Sequence, residues 1–163
     1  MRKLITYTMM AILITVVISI STGNKSEAGS ATYYMPYLHT NAGNVVYCVI
    51  GNVSSNALTG TFSTMTTETG TATQTAGTSF SIAANTTQMI TFSGTTITTG
   101  SSTITISDVT SGSYSGKLSF TGTATSTNVA CTDIPMSCFQ GTTNPKRNLA
   151  GHTCDDGTST LAY

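Results

Sequence analysis

The stretch Tyr114–Phe120, YSGKLSF, decides the fold of this chain. Tyr114, Gly116, Leu118 and Phe120 occupy alternate positions, and the residues between them are polar. In an extended strand this alternation places all four on one face, whereas an α-helix repeats its apolar residues every three or four positions. The stretch therefore predicts a β-strand with one face in a core and the other toward solvent.

The same period of two recurs on both sides of this strand, in TSFSIA, QMITFSG and STITIS. The stretch NVVYCVI (44–50) is apolar on both faces, which is typical of a central strand covered on both sides. Turn signals such as NAGN, TAGT, TTGSS and TSGS separate these runs about every ten residues. The pattern predicts an all-β fold, an antiparallel β-sandwich of about seven to nine short strands.

Residues 1–28 have the layout of a secretory signal peptide: two basic residues, the apolar run Leu4–Ile20, then small polar residues. The run is about seventeen residues long, at the lower limit for spanning a bilayer, so an uncleaved anchor is the alternative. Cleavage is expected after Ala28, or as late as Ala31. We predict a secreted or cell-surface protein that meets the membrane only through an uncleaved leader.

The rest of the chain, 32–163, has the size of one domain. Only 7% of the whole sequence is charged, and about a third is Ser or Thr, far above the usual share. So few cations cannot neutralise many phosphates, which excludes nucleic acid as an expected partner. Low net charge permits self-association. Asn52-Val53-Ser54 and Asn85-Thr86-Thr87 match the glycosylation sequon, which matters only in a host that modifies exported proteins.

The segment 129–163 forms a Cys-rich tail of loops that ends in a predicted hairpin. The chain has four cysteines: Cys48, Cys131, Cys138 and Cys154. Four cysteines in a small exported chain indicate two disulfides, and three pairings are open. We predict Cys48 with Cys131 and Cys138 with Cys154, which would tie a central strand to the end of the core and close the C-terminal loop.

The motif GHTCDDG contains groups that bind metals or transfer protons. We interpret it as a hairpin turn: Asp155 and Asp156 bond the local backbone, Gly157 takes a positive φ, and the last strand is Ser159–Tyr163. One alternative is a zinc site made by His152 and the three tail cysteines, but no C-x-x-C pair supports it. A weak calcium site at the two aspartates is another. We expect no metal and no cofactor.

Catalytic motifs are weak throughout the sequence. The chain has two histidines, His39 and His152, and no Ser lies in a G-x-S-x-G motif. Phosphate loops and dinucleotide fingerprints are also missing from the sequence. We predict that the protein is not an enzyme. The alternative is a small secreted enzyme that uses His152 with Asp155 or Asp156.

An aromatic segment opens the predicted domain. Tyr33, Tyr34 and Tyr37 surround Pro36, which cannot donate to a β-ladder, so we expect an edge strand or a strand broken at its middle. These four residues are the candidate assembly or ligand surface. The rings could stack on sugars, or this strand could complete the sheet of the next copy. The alternative is ordinary packing over one end of the core.

The stretch 33–63, YYMPYLHTNAGNVVYCVIGNVSSNALTGTFS, resembles the start of small exported bacterial cell-surface β-sandwich domains. Those domains have an aromatic-Pro-aromatic strand, a strand ending in N-x-S-S and a Thr/Ser-rich strand. The resemblance implies a module for adhesion or surface assembly and transfers no catalytic residues. We therefore predict an exported structural protein, a fibre, surface-layer or adhesive subunit whose partners are its own copies or cell-surface components. The alternative is a carbohydrate-binding module that uses the N-terminal Tyr cluster.

Overall fold

The computed structural model describes residues 29–68, 70–71, 79–100, 102–107, 109–123, 128–141, 147–148 and 152–162. The predicted leader, Asp108 and Lys146 lie outside these ranges. The described residues form a 3-10 helix, Cys131–Asp133, and thirteen strands. The strands are β1 (Ser30–His39), β2 (Val45–Asn52), β3 (Leu58–Thr67), β4 (Gly70–Thr71), β5 (Phe80–Ile82), β6 (Thr86–Ser93), β7 (Thr96–Thr99), β8 (Ser102–Thr105), β9 (Ser113–Gly122), β10 (Met136–Gly141), β11 (Arg147–Asn148), β12 (Thr153–Asp155) and β13 (Thr160–Ala162).

The strands form two antiparallel sheets, which we name sheet A and sheet B. Sheet A has the order β13-β12-β1-β9-β3, and both β4 and β5 pair with β3. Sheet B has the order β11-β10-β2-β6-β7-β8. The chain passes from one sheet to the other between β1 and β2 and again between β2 and β3, so the two sheets are built together. The predicted β-sandwich is confirmed.

Apolar side chains from both sheets form the core between them. Phe62 on β3 and Phe92 on β6 meet across the interior with ring centroids 5.5 Å apart. Tyr114 on β9 is buried, and its hydroxyl donates to the Gly94 carbonyl beyond β6 at 2.9 Å. This bond gives the buried hydroxyl a hydrogen-bond partner beside the opposite sheet. It therefore helps to position the two sheets relative to each other.

The period-two pattern predicted the inward faces correctly. Tyr114, Gly116, Leu118 and Phe120 of β9 are all buried. Phe80 with Ile82, and Ile90 with Phe92, also point inward as predicted. Eight strands have four residues or more, which fits the predicted seven to nine; they are β1, β2, β3, β6, β7, β8, β9 and β10. Of the shorter strands, β5 lies in the predicted run TSFSIA, and β12 and β13 form the predicted C-terminal hairpin, whereas the two-residue strands β4 and β11 were not predicted.

Two glycines on inward faces make room for aromatic rings. A Cβ on Gly116 would lie 2.3 Å from Cζ of Phe62, and a Cβ on Gly60 would lie 2.3 Å from Cζ of Phe80. Real Cβ atoms do not approach ring carbons so closely, so any side chain at either position would displace a core ring. Gly116 therefore belongs to the buried face because it leaves space for Phe62.

Strand β1 continues through Pro36 with a change of register, so it is neither the predicted edge strand nor divided into two strands. Its residues before the proline pair with β9 on one side and with β12 on the other. The register with β9 shifts between Met35 and Leu38, which is a bulge that accommodates the missing Pro36 N–H. The strand thus lies inside sheet A, between its two neighbours.

Strand β2 differs from the prediction on one of its faces. Val46, Cys48 and Ile50 are buried against sheet A, as expected for the central strand of sheet B. The other face is left partly exposed by the residues that the structure describes: Tyr47 is partly exposed, and Val49 is 41% exposed. A pattern that is apolar on both faces predicts two covering layers, and the sandwich supplies only one.

The four cysteines form two disulfides, but the predicted pairing is wrong. Cys48 is bonded to Cys138, and Cys131 is bonded to Cys154. Strand β10 lies beside β2 with Cys138 directly opposite Cys48, at a Cα separation of 4.1 Å. The second bridge connects the 3-10 helix to β12 in sheet A. Strand register brings these sulfur atoms together, and sequence spacing does not reveal register.

Candidate functional site

The C-terminal motif is a hairpin, as predicted. Strands β12 and β13 pair antiparallel, and Gly157 between them has φ 79°. Oδ1 of Asp155 accepts the Gly157 N–H at 2.8 Å. The predicted final strand Ser159–Tyr163 corresponds to β13, Thr160–Ala162. Both the Asx turn and the left-handed glycine are local properties, so the sequence was sufficient to identify them.

Asp156 has a role that extends beyond the turn. Its carboxylate is only 3% exposed. Oδ1 accepts the N–H groups of Thr158 and Ser159 at 3.0 and 2.7 Å, and Oδ2 accepts the N–H of Cys131, 25 residues earlier, at 3.0 Å. The Thr158 and Ser159 hydroxyls donate as well. Asp156 therefore joins the hairpin to the 3-10 helix beside the Cys131–Cys154 bridge.

These donors lower the pKa of Asp156 far below its usual value. The Cys131 N–H contributes most, the Thr158 hydroxyl and the turn N–H groups add to it, and burial of the carboxylate opposes it. A depressed folded-state pKa contributes stability that is present above the unfolded pKa of 3.8 and is lost as the pH falls below it. The hairpin is therefore expected to be sensitive to acid.

The first prediction concerns this acid sensitivity. Asp156→Asn should lower the unfolding free energy by about 2–3 kcal/mol near neutral pH, because an amide cannot accept from all of these buried donors. Between about pH 5 and about pH 2.5, the unfolding free energy of this variant should also decrease less than that of the unaltered protein. Urea unfolding at both pH values measures this. Asp155→Asn, which alters a single exposed bond, is the control, and an unchanged pH dependence in Asp156→Asn would contradict the assignment.

His152 is placed as a structural side chain. It is buried, its Nε2 lies 3.0 Å from the Met136 carbonyl oxygen, and its ring is 5.9 Å from the Tyr33 ring. Of the two acids considered as its partner, Asp155 accepts the Gly157 N–H and Asp156 accepts the N–H groups of Cys131, Thr158 and Ser159. The three tail cysteines are disulfide-bonded and so are not thiolate ligands for zinc. Among the described residues, no three His, Cys, Asp or Glu side chains are grouped to hold a metal ion.

The aromatic segment is divided between the core and the surface. Tyr33 is fully buried, and its hydroxyl donates to the Ile134 carbonyl oxygen, so it is not part of a surface as predicted. The physical reason is strand alternation: Tyr33 points inward, whereas Tyr34 and Pro36 are exposed on the outer face of sheet A. Tyr37 is partly exposed at the bulge, with its ring 6.4 Å from that of His39.

The outer face of sheet A is polar. Tyr34, 38% exposed, lies directly opposite Lys117 on β9 and Thr153 on β12. The Thr32 and Ser119 hydroxyls are 3.0 Å apart one row away. Hydroxyl groups that bond to each other across strands make a sheet face polar without adding charge. Among the described residues, the aromatic side chain that is exposed on this face is that of Tyr34.

The outer face of sheet B is apolar at its centre. Four side chains form what we call the apolar patch: Tyr47, Val49, Met89 and Phe139. Val49 lies directly opposite Met89 on β6, and Tyr47 lies directly opposite Phe139 on β10. Met89 is 55% exposed and Phe139 is 39% exposed. The patch was not predicted from the sequence, although the stretch NVVYCVI is apolar on both faces and contains Tyr47 and Val49.

Asn52 was interpreted as part of a glycosylation sequon, and the structure assigns it a different role. It is 1% exposed, and its Nδ2 donates to the carbonyls of Asn56 and Ala83 at 2.8 and 3.0 Å. Its Oδ1 accepts the Ser54 N–H and hydroxyl. Nδ2 is the atom that a glycan would occupy, so the folded protein cannot carry one at Asn52. Asn85, in the second sequon, is exposed.

The fold and its covalent bonds define a disulfide-bonded β-sandwich. Two disulfides are compatible with an extracellular protein. Within the described ranges, no helix has the length and apolar character needed to cross a membrane. No protein-family model, no curated protein and no solved structure matched the chain. Function must therefore be argued from the surfaces and contacts of the protein itself.

Proposed function

We propose that this protein is an exported structural subunit that associates with copies of itself outside the cell, as part of a fibre, a surface layer or an adhesive structure. The observation that carries the proposal is that five of the six strands of sheet B lack charged residues, with Arg147 on the sixth, the edge strand β11. Strands β10, β2, β6, β7 and β8 contain no charged residue. Net charge normally keeps copies of a soluble protein apart, and a neutral sheet face lacks that protection.

The arrangement of β1 supports association through a sheet face rather than by exchange of the first strand. Strand β1 pairs with both neighbours in its own chain, and Tyr33 on it is in the core. Transfer of β1 to a second copy would require these contacts to break first. Contact between sheet faces leaves the fold intact. In this proposal the protein is not an enzyme, and His152 and Asp156 serve the fold.

The second prediction tests self-association directly. The protein, exported into an oxidising compartment and purified without reductant, should sediment faster as its concentration rises and form regular assemblies in negative-stain electron microscopy. A neutral contact has no charge to screen, so sodium chloride should not weaken it, and sulfate should strengthen it. A uniform monomer at every concentration and salt would overturn the structural role.

Glycan binding is the second candidate, and the exposure of Tyr34 favours it. Tyr34 presents its ring beside Lys117 and Thr153, so a sugar could stack on the ring while bonding to polar neighbours. Titration calorimetry with soluble polysaccharides, comparing the unaltered protein with Tyr34→Ala, distinguishes this role. Saturable binding by a monomer that Tyr34→Ala abolishes would support it over self-association.

A further inference from the structure

We propose that the apolar patch of sheet B is covered by the same patch of a second copy, in a two-fold symmetric contact between outer faces. This inference rests on the proposed function, because it names the surface through which the subunits meet. The patch comprises Tyr47, Val49, Met89 and Phe139, as defined above. Its occupant is thus another molecule of this chain.

The central strands of the two sheets differ in the residues that point outward. The outward residues of β9 in sheet A are hydroxylic or charged: Ser113, Ser115, Lys117, Ser119 and Thr121. The outward residues of β2 in sheet B include Tyr47 and Val49. A strand that faces water on one side normally alternates, as β9 does. Strand β2 has the composition of a strand covered on both faces, and within the described part of the chain its outer face stays partly exposed.

The apolar patch is a continuous surface. The pairs Val49–Met89 and Tyr47–Phe139 are cross-strand neighbours, and Tyr47 and Val49 are two positions apart on the same face of β2. The four side chains therefore form a continuous series across three strands, from Phe139 through Tyr47 and Val49 to Met89. Isolated exposed apolar residues are ordinary, but contiguous apolar surface marks an interaction site. An aromatic and Met centre is also the composition that the buried core of an interface prefers.

The uncharged strands and the threonines around the patch favour a second copy as the partner. In a two-fold contact the same patch lies on both sides and residues at the axis meet their own copies, so a charge near the axis would meet a like charge. Strands β10, β2, β6, β7 and β8 of sheet B carry none, and Arg147 lies on the edge strand β11. Beside the patch, Thr91, Thr98 and Thr103 form a row across β6, β7 and β8. A hydroxyl both donates and accepts, so a rim of threonines can bond to its own copy, which a rim of lysines could not.

The third prediction tests this interface. Val49→Glu places a carboxylate near the two-fold axis, and Met89→Glu does the same on β6. Each should weaken association at least about tenfold, because apolar contact is lost and like charges face each other. Thr121→Glu, on an equally exposed position of β9 in sheet A, is the matched control and should not weaken it. Sedimentation measures association, and circular dichroism checks the fold of each variant.

A measurement without substitution covers the case in which the glutamate variants fail to fold. Dilute hydrogen peroxide converts an exposed Met thioether to the sulfoxide. Met89 should be oxidised rapidly at concentrations where the protein is monomeric and protected where it is assembled. Met65, which is partly exposed on β3, is the internal reference. Mass spectrometry of the two peptides reads the ratio, and equal oxidation of Met89 in both states would overturn the interface.

The outcomes separate this inference from the proposed function. Association that Val49→Glu weakens and Thr121→Glu does not would support both. Association that persists unchanged in Val49→Glu and Met89→Glu would overturn the sheet B interface while leaving self-assembly in place. A protein that is monomeric under all conditions would overturn the proposed function and the interface with it.

Discussion

Tyr33→Ala should destabilise the protein by about 3–5 kcal/mol, whereas the same change at the next residue, Tyr34→Ala, should cost about 1 kcal/mol or less. Tyr33 is fully buried, and its ring packs edge-to-face on Phe120 with centroids 6.3 Å apart. Tyr34 is 38% exposed and packs only on the surface of sheet A. Urea unfolding of both variants at one pH measures the difference.

Tyr33→Phe separates the ring from its hydroxyl. It keeps the packing on Phe120 but removes the bond to the Ile134 carbonyl, which would leave a buried acceptor without that donor. We expect a cost of about 1–3 kcal/mol. Equal losses for Tyr33→Ala and Tyr34→Ala would contradict the burial of β1 in its own sheet, and would favour a β1 that is free to pair with another chain.

Loss of the disulfides is the second large expected effect. The chain-entropy model gives a contribution that grows with the length of the closed loop. The Cys131–Cys154 bridge spans 23 positions and the Cys48–Cys138 bridge spans 90, so their removal should cost about 3 and about 4.5 kcal/mol respectively. Each kcal/mol lowers the Tm of a domain of this size by about 4 °C. Reduction should therefore lower the Tm markedly.

Paired alanine substitutions test the bridges one at a time. All four cysteines are buried, so Cys131→Ala with Cys154→Ala, and Cys48→Ala with Cys138→Ala, leave small apolar groups in place. Calorimetric Tm values with and without dithiothreitol measure the effect. A Tm that dithiothreitol leaves unchanged would contradict the presence of the disulfides. The single substitution Tyr34→Ala, at an exposed residue, is the control for the effect of substitution itself.

The pairing can be checked chemically. Cyanogen bromide cleaves after Met136, between Cys131 and Cys138. With the observed bridges, the fragments that carry Cys48, Cys131 and Cys154 stay joined as one species until reduction. With Cys48 bonded to Cys131 instead, the fragment that contains both Cys138 and Cys154 would separate without reductant.

Local chemistry made part of this structure predictable. The alternation in β9 assigned the inward residues because successive side chains of a strand point to opposite faces. The turn at Asp155 and Gly157 was predictable because Asx bonds and positive φ depend on a few neighbouring residues. The presence of two disulfides was predicted from four cysteines in a small chain whose first residues have the pattern of an export leader. None of these inferences required knowledge of which strands are neighbours.

Other features depended on strand order. Cys138 bonds to Cys48 because β10 lies beside β2 in register, and sequence spacing had suggested Cys131 instead. Tyr33 was grouped with Tyr34 as a surface because the segment reads as one aromatic cluster, although alternation separates the two. The long-range role of Asp156 was not predictable, because its partner Cys131 is distant in sequence.

The sequence by itself determined that this chain is a hydroxyl-rich β protein, which faces of its strands are apolar, and where its C-terminal turn lies. Each of these depends on interactions within about ten residues. The tertiary structure alone decided the disulfide pairing, the burial of Tyr33, and the exposure of Val49 and its neighbours on sheet B. Those features depend on which strands lie side by side and on how many layers cover them, and contacts between residues far apart in the chain set both.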